Sequence, residues 1–363
     1  VDTDSGATRP LWTDADAPPL RPLGADARAD ACIVGAGLAG LSTAYLLARR
    51  GLSVIVVDKG PLGGGQTART TAHVSNVLDD RWTTIERHHG TPAARLAAGA
   101  HTAAIELIGD VVAEEGIACD FSRVDGWLFA PAGAPPTALD DELAAARRAG
   151  IAAASADAVP LPFATGPALR FARQAQFHPL RYVAGLARAI LRRGGRIHPE
   201  THATEILGGK GAHVRTERGH TIDTAAIVVA TNTPVNDLVA IHTKQTPYVS
   251  YVIAGRVPAG RLPVGLYWDT EDPYHYLRLQ PTADGDVLIV GGEDHRVGRF
   301  EGSPEERWTA LEAWTRERIP GFGPLVACWS GQVMQSLDGL AFIGRNPLDA
   351  SNVYVATGDC GTG

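Results

Sequence analysis

Six residues, Gly35-Ala36-Gly37-Leu38-Ala39-Gly40, form a G-x-G-x-x-G pattern, and Asp58 follows 18 residues after its last glycine. Glycines at this spacing serve a dinucleotide. Gly35 allows a tight turn, Gly37 lets backbone N–H groups approach a pyrophosphate, and Gly40 lets helix and strand pack closely. A carboxylate at Asp58 would accept hydrogen bonds from a ribose diol and repel a 2′-phosphate, which disfavours NADP. The context completes the motif. Ala29 to Val34 reads as a buried strand, Leu38 to Arg50 as a helix ended by Gly51, and Ser53 to Val57 as a second strand. This β-α-β unit requires a parallel sheet.

Both FAD and NAD use this fingerprint, and three further segments favour FAD. Gly63-Gly64-Gly65-Gln66-Thr67 follows the second strand, where a flavin enzyme needs a loop along the pyrophosphate. Ile227-Val228-Val229-Ala230-Thr231-Asn232 is a late apolar strand ending in small polar residues. Val353 to Ala356 is another strand, running into the glycine turn Thr357-Gly358-Asp359-Cys360-Gly361-Thr362-Gly363.

Together these residues resemble the FAD-dependent amine and amino-acid oxidase superfamily, the group of D-amino-acid oxidase, sarcosine oxidase and glycine oxidase. Asp338-Gly339-Leu340-Ala341-Phe342-Ile343-Gly344 is similar to its D-G-x-P-x-I-G segment, with Ala341 in the proline slot. Asn232 stands where that family has the glycine of A-T-G. Arg69-Thr70-Thr71-Ala72-His73, Gln176-Phe177-His178-Pro179-Leu180 and Gly291-Gly292-Glu293-Asp294-His295 resemble a bacterial subgroup whose flavin domain precedes a Rieske iron–sulfur domain. No Cys-x-His…Cys-x-x-His pair occurs in the chain, so a [2Fe-2S] cluster is expected only in a longer parent chain. The start at Val1 and the stop within a glycine turn are read as signs of such a fragment.

The resemblance implies hydride removal from a C–N bond to flavin N5, with oxygen or a Rieske-type electron carrier as the acceptor. Cofactor contacts are expected at Gly35, Gly37, Leu38, Ala39, Gly40, Asp58, Lys59, Gly65, Thr67, Arg69, Thr70, Thr71 and His73. Further along the chain they are expected at Thr204, Ala230, Thr231, Asn232, Gly344, Gly358, Asp359 and Gly361. Some relatives attach FAD covalently to a histidine near the position of His73. The spacing from Asp58 does not match theirs, so FAD is expected to be non-covalent and His73 its polar neighbour.

The substrate side is expected on the later strands. Tyr274, Tyr276 and Arg278 share one face of a strand by the two-residue period, so Arg278 is either a carboxylate clamp between aromatic walls or a surface arginine. Lys244 either sits near N5, as a lysine does in relatives, or is solvated. His295 either faces the pocket or closes a loop. The strand Trp329-Ser330-Gly331-Gln332-Val333-Met334 lacks the arginine that α-amino-acid oxidases often carry there, which favours an amine substrate.

The elements around these residues set the expected fold. The fold class is α/β, a Rossmann-like FAD-binding domain with a parallel sheet plus a substrate domain on a mixed, largely antiparallel sheet with helices. Residues 1–28 are expected to form an irregular arm anchored by Trp12. The FAD-binding domain is assigned to 29–118, 165–245 and 326–363, and the substrate domain to 119–164 and 246–325. Helices are expected near 80–98, 100–116, 137–149, 180–193 and 303–318, and 157–178 as irregular chain.

Composition narrows the function class. The chain of 363 residues is 45% hydrophobic with a formal net charge of −7, which argues against nucleic acid as partner. No apolar run is read as approaching the roughly 20 residues that cross a bilayer, and no secretory segment is read, so a cytoplasmic location without membrane contact is expected. The four cysteines lack metal-ligand spacing, so no metal site is expected. Two alternatives stay open, an electron-transfer or flavin-binding module and an NAD(P)H-fed flavin reductase. The second would need another dinucleotide motif, and none appears.

Overall fold

A computed structural model describes residues 8–13, 15–233, 235, 241–282, 284–299 and 302–360. Two sheets dominate it. In the first, the strands run in the order Phe342–Arg345, Val353–Thr357, Thr221–Asn232, Ala27–Val34, Val54–Val57 and Arg196–His198. From Val353–Thr357 to Arg196–His198 adjacent strands are parallel, with Ala31 opposite Ala226 on one side and Val54 on the other, and the edge strand Phe342–Arg345 is antiparallel. Their apolar runs follow from burial on both faces, as parallel sheets covered by helices require. Leu38–Arg49 and Pro179–Arg192 cover one face. Leu41, Ala44, Tyr45 and Ala48 of the first helix repeat at helical spacing and are buried. The second helix starts at Pro179 and is capped by His178, whose Nδ1 accepts from Arg181 N at 3.3 Å.

The second sheet has nine strands. Leu325–Ser336, Gln245–Val257, Gly285–Arg296, His275–Thr282 and Leu266–Asp269 are antiparallel in that order. Ser122–Phe129, Ala168–Gln176 and His73–Val74 continue it, with Ala153–Ala156 beside Ala168–Gln176. Its side chains alternate between two destinations. Tyr251, Ile253, Leu277, Leu279, Leu288 and Val290 pack with Leu311 of the helix Pro304–Arg318. Val252, Ala254, Val287, Ile289 and Trp329 pack instead into the core of the first domain, with Ile33, Trp12 and Phe177. One face of the second sheet therefore closes on the nucleotide-binding half.

Several expectations change. The stretch 157–178 is not irregular throughout, because Ala168–Gln176 is a strand with Leu169, Phe171 and Ala175 buried. That strand, Leu325–Ser336 and His73–Val74 hydrogen-bond into the second sheet, although the sequence grouped them with the first domain. The two helices expected near 80–98 and 100–116 are one element, Trp82–Glu115, interrupted at Gly90 (φ 78°, ψ 160°). Gly90 and Pro92 place the break a turn and more before the expected one, since Pro fits only the first turn of the following helix. This element is long and apolar enough to cross a bilayer by length and composition, contrary to the sequence reading. Here Glu106 is paired to Arg123 and Arg173 of the second sheet.

Among the described residues, the N-terminal arm has no regular element before Ala27, and Trp12 anchors it as expected. Trp12 is 2% exposed, donates from Nε1 to Thr70 O at 2.7 Å, and stands edge-on to His178.

Candidate active site

The glycine turn has the geometry its spacing requires. Gly35 has φ 114°, and a Cβ there would lie 2.2 Å from Ala230 O. A Cβ on Gly40 would lie 1.9 Å from Gly35 O, so only glycine brings the helix onto the turn. Gly37 is the N-cap of the helix Leu38–Arg49 and supplies no side-chain cap. Thr67 Oγ1 accepts from Leu38 N at 3.1 Å, so an oxygen already sits at the helix N-terminus where a phosphate oxygen would take the same donor. Asp58 closes the second strand. Its Oδ2 accepts from Ala36 N at 2.6 Å and its Oδ1 from Gly60 N at 2.8 Å. The carboxylate is thereby fixed beside the glycine turn, where a ribose hydroxyl would be met. These residues fit a bound dinucleotide.

Gly65 caps the short helix Gln66–Arg69, which joins this turn to the second sheet. Gln66 Oε1 accepts from Gln332 N at 2.7 Å, Arg69 Nη1 donates to Ser330 O at 2.7 Å, and Trp329 Nε1 donates to Arg69 O at 2.9 Å. Arg69 is therefore a buried brace across the seam, also donating to Thr8 O at 2.8 Å. Thr70 accepts from Ala72 N, and Thr71 Oγ1 meets His73 Nδ1 at 3.0 Å.

Across the seam, the late strand ends at the glycine turn. Ala230 abuts Gly35, Thr231 Oγ1 donates to Thr233 O, and Asn232 adopts φ 65°. That left-handed conformation suits glycine, which the resemblance expected there, and asparagine tolerates it. Asn232 O accepts from Thr357 Oγ1, and its Nδ2 approaches Gln332 Oε1 at 3.3 Å. Gly358 (φ 71°) turns the chain beside Gln245, and Asp359 follows. Gly361 lies outside the described residues.

Three expected cofactor contacts are exposed. Lys59 is exposed at the end of the second strand. Gly344 is exposed on the edge strand Phe342–Arg345, opposite Val355. Thr204 lies on a surface hairpin and its hydroxyl donates to Arg215 O at 3.3 Å. The residue tied to Asp58 there is Thr201, whose N–H donates to Asp58 O at 2.7 Å.

Between this seam and the second sheet lies a crevice. The His73 ring stands 5.7 Å from Tyr276 and 5.6 Å from Trp268. Tyr276 Oη meets Ser250 Oγ at 2.8 Å, and Tyr274 Oη donates to Asp294 Oδ2 at 3.0 Å. Tyr276 covers Gly291, where a Cβ would come within 2.2 Å of its ring. Asp79 joins the group, its charge bearing on Tyr274, Tyr276 and Asp294. His73, Asp79, Tyr276 and Asp294 are half-buried where the two halves meet. Two buried atoms in it, His73 Nε2 and Asp294 Oδ1, have no hydrogen-bond partner.

Burial sets the charges. Desolvation, with the Arg278 charge behind it, pushes His73 down to about 3, so the ring is neutral at pH 7. Desolvation pushes Asp79 up to about 7 against the opposing pull of Arg81, and Asp294 adds to the rise. Desolvation also raises Asp294.

The structure corrects the expected catalytic set. Arg278 shares the face of Tyr276, but it is 0% exposed. It donates from Nη1 to Ala72 O at 2.9 Å and Phe177 O at 3.3 Å, and from Nη2 to Gln280 Oε1. Trp12 seals it, with the guanidinium 5.3 Å from the ring centroid. A substrate carboxylate has no path to it, so neither the clamp nor the surface reading holds. Lys244 is exposed at the start of Gln245–Val257, away from the tyrosines. His295 faces the other side of the sheet, with Nε2 3.0 Å from Tyr251 Oη beneath Trp308. Only Tyr276 of that set lines the crevice. Asp79, Asp294 and Ser250 were missed. Asp79 breaks the apolar run Val77-Leu78, and Asp294 follows Gly291-Gly292 on a strand otherwise buried, which were the available signals.

On the helix side of the sheet, Asp269, Glu271 and His275 bring ligand-type atoms within 4.8 Å of one another. His275 Nδ1 lies 2.8 Å from Asp269 Oδ2, a hydrogen bond that accounts for the grouping. The cysteines are free, with Cys360 buried against Ser336.

Comparison with known proteins agrees with this geometry. Residues 30–363 match the FAD dependent oxidoreductase (DAO) family. A Rieske 2Fe-2S iron-sulfur protein of Bacillus subtilis, YhfW, is 30% identical over 97% of this chain and 69% of its own length. Gamma-glutamylputrescine oxidoreductase of Escherichia coli is 28% identical over 95% of this chain and 82% of its own length. Among solved structures, L-proline dehydrogenase from P. horikoshii superimposes with a TM-score of 0.73 at 18% identity, covering 93% of this chain and 90% of that one. Glycine oxidase from Geobacillus kaustophilus does so with a TM-score of 0.69 at 19% identity, covering 93% and 91%. With the glycine turn, Asp58 and the two-sheet seam in place, the chain belongs to the DAO family of FAD-dependent oxidoreductases.

Proposed function

We propose that this protein oxidises a C–N bond of a small amine or amino acid, passing the hydride to flavin N5 of a non-covalently held FAD. The observation that carries the reading is the crevice itself, with tyrosine walls on one side and the glycine turn and the Gln66–Arg69 loop on the other. When bound, FAD supplies the two-electron acceptor. The residues of the chain orient the substrate and control protons. An amine must enter uncharged, because its lone pair becomes the second C–N bond as the hydride leaves. Neutral His73 places no positive charge beside that nitrogen, and Tyr274 and Tyr276 exclude water around it. His73 Nδ1 is engaged by Thr71, which supports a neighbouring role rather than a covalent one.

Reoxidation is assigned to oxygen or to an iron–sulfur carrier, the latter supported by the Rieske name of the Bacillus relative. Anaerobic mixing of the FAD-loaded protein with amines and amino acids tests the proposal. Bleaching of the flavin band by one of them is expected. Bleaching by NADH alone would replace the reading with that of a flavin reductase.

A further inference from the structure

Behind the tyrosine wall, on the helix side of the second sheet, lies a groove of about 640 Å³ lined by Glu271, Asp272, His275, Glu293, Trp314 and Glu317 among others. It is separate from the crevice, because His275 turns to Trp314 while Tyr274 and Tyr276 pack on each other across the strand. His275 is 4% exposed. Asp269, 1% exposed, fixes one side of its ring: Oδ2 accepts from His275 Nδ1 at 2.8 Å. Asp269 Oδ1 accepts from the backbone N–H of His275 at 2.8 Å and of Glu271 at 3.1 Å. A carboxylate so engaged only accepts, so the ring proton sits on Nδ1 and the lone pair of the neutral ring on Nε2. Among the described residues Nε2 has no hydrogen-bond partner. It opens on the groove, where Glu293 Oε1 stands 4.0 Å away. Trp314 stacks on the face of the ring at 4.3 Å and leaves the in-plane lone pair clear. Arg307 Nη1 donates to Glu293 Oε2 at 2.8 Å, which leaves Oε1 available.

A buried histidine with one nitrogen oriented by a carboxylate and the other facing a second carboxylate is built as a metal ligand. Donors about 2.1 Å from one ion stand about 3.4 Å apart at a tetrahedral angle and at most about 4.2 Å apart. The observed 4.0 Å lies inside that limit. We propose that His275 Nε2 and Glu293 Oε1 bind a zinc-type divalent cation, with Glu271 swinging in from the rim as a third ligand and water completing the shell. Glu271 is 33% exposed and, among the described residues, has no arginine or lysine partner. An imidazole nitrogen among carboxylates selects a transition ion over Mg²⁺ and Ca²⁺, which take oxygen ligands. The ion ties His275–Thr282 to Gly285–Arg296 directly behind Tyr274 and Asp294, and so stiffens the crevice wall. It takes no part in the redox step, and the site stands or falls without the amine reading.

The test is calorimetry of the FAD-loaded protein, freed of metals by a chelator, with ZnCl2, MgCl2 and CaCl2. One equivalent of Zn²⁺ is expected to bind, and Mg²⁺ and Ca²⁺ are not. At about a hundredfold excess over Kd, zinc should raise Tm by about 4 °C. His275→Gln and Glu293→Gln should each weaken zinc by about tenfold or more. Arg307→Met keeps the glutamate and removes a competing cation, so zinc should bind at least as well. Cys328→Ser removes the one cysteine that is not buried and should change nothing. Absence of zinc binding, equal affinity for Mg²⁺, or an unchanged Kd in His275→Gln overturns the proposal. Loss of binding in Cys328→Ser assigns the ion to the thiol and overturns it too. Should the variants fail to fold, copper(II) on wild type gives the answer by electron paramagnetic resonance. Coupling to one imidazole nitrogen, removed by added Zn²⁺, is expected, and no such coupling overturns the site.

Discussion

Replacing Arg278 by methionine separates a structural arginine from a substrate clamp. In this structure the guanidinium serves Ala72 O, Phe177 O and Gln280 Oε1 and stacks beneath Trp12. Methionine has a similar length and no donor. Two buried carbonyls would lose their partner at about 1–3 kcal/mol each, and the cation–π contact adds about 0.5–2 kcal/mol. The terms are not additive, and about 4 kcal/mol is the expected loss. For a chain of this size each kcal/mol lowers Tm by about 2 °C, so the FAD-loaded variant should melt about 8 °C lower. Arg278→Lys should recover little, because one ammonium cannot span acceptors on three segments. The assays are thermal melting followed by flavin fluorescence, and KM for a carboxylate-bearing and a carboxylate-free substrate. An unchanged Tm with KM raised only for the carboxylate substrate would refute this account and restore the clamp.

Gly35→Ala should abolish FAD retention on gel filtration, since its Cβ would sit 2.2 Å from Ala230 O in a left-handed turn. Asp58→Ala should lower FAD affinity by tenfold or more and also destabilise the apoprotein, because Ala36 N and Gly60 N lose their acceptor. The pH dependence has two opposed parts. His73 is pushed down to about 3 when folded, so the unfolded chain takes up its proton first and stability is lost as pH falls from about 6.5. Asp79 is pushed up to about 7, so the folded chain holds its proton longer and stability falls as pH rises from about 4 to 7. Denaturant titrations of Asp79→Asn between pH 4 and 6.5 should expose the His73 slope, with stability rising with pH more steeply than in wild type. A shallower slope in the variant would contradict the assignment.

The nucleotide-binding half was legible in the sequence because its constraints are local. Gly35, Gly37, Gly40 and Asp58 lie within one β-α-β unit, where chain geometry fixes their separation. The apolar runs at Ile33 and Val56 were legible for the same reason, since both faces of a parallel strand are buried. Even there the sequence did not show that Thr204 lies on an exposed hairpin while Thr201 carries the hydrogen bond to Asp58.

The substrate half was decided by tertiary structure. The two-residue period does place Tyr276 and Arg278 on one face, but it cannot say what covers that face along its length. Trp12, 266 residues away in sequence, covers Arg278, while Tyr276 stays open to the crevice. Likewise His295 and Asp294 are neighbours in the chain and point to opposite sides of the sheet, one to Tyr251 and one to Tyr274. Periodicity determined which residues share a face. The packing of the arm, the helix Pro304–Arg318 and the first domain decided which faces are sealed and which line the site, because burial depends on contacts between distant segments.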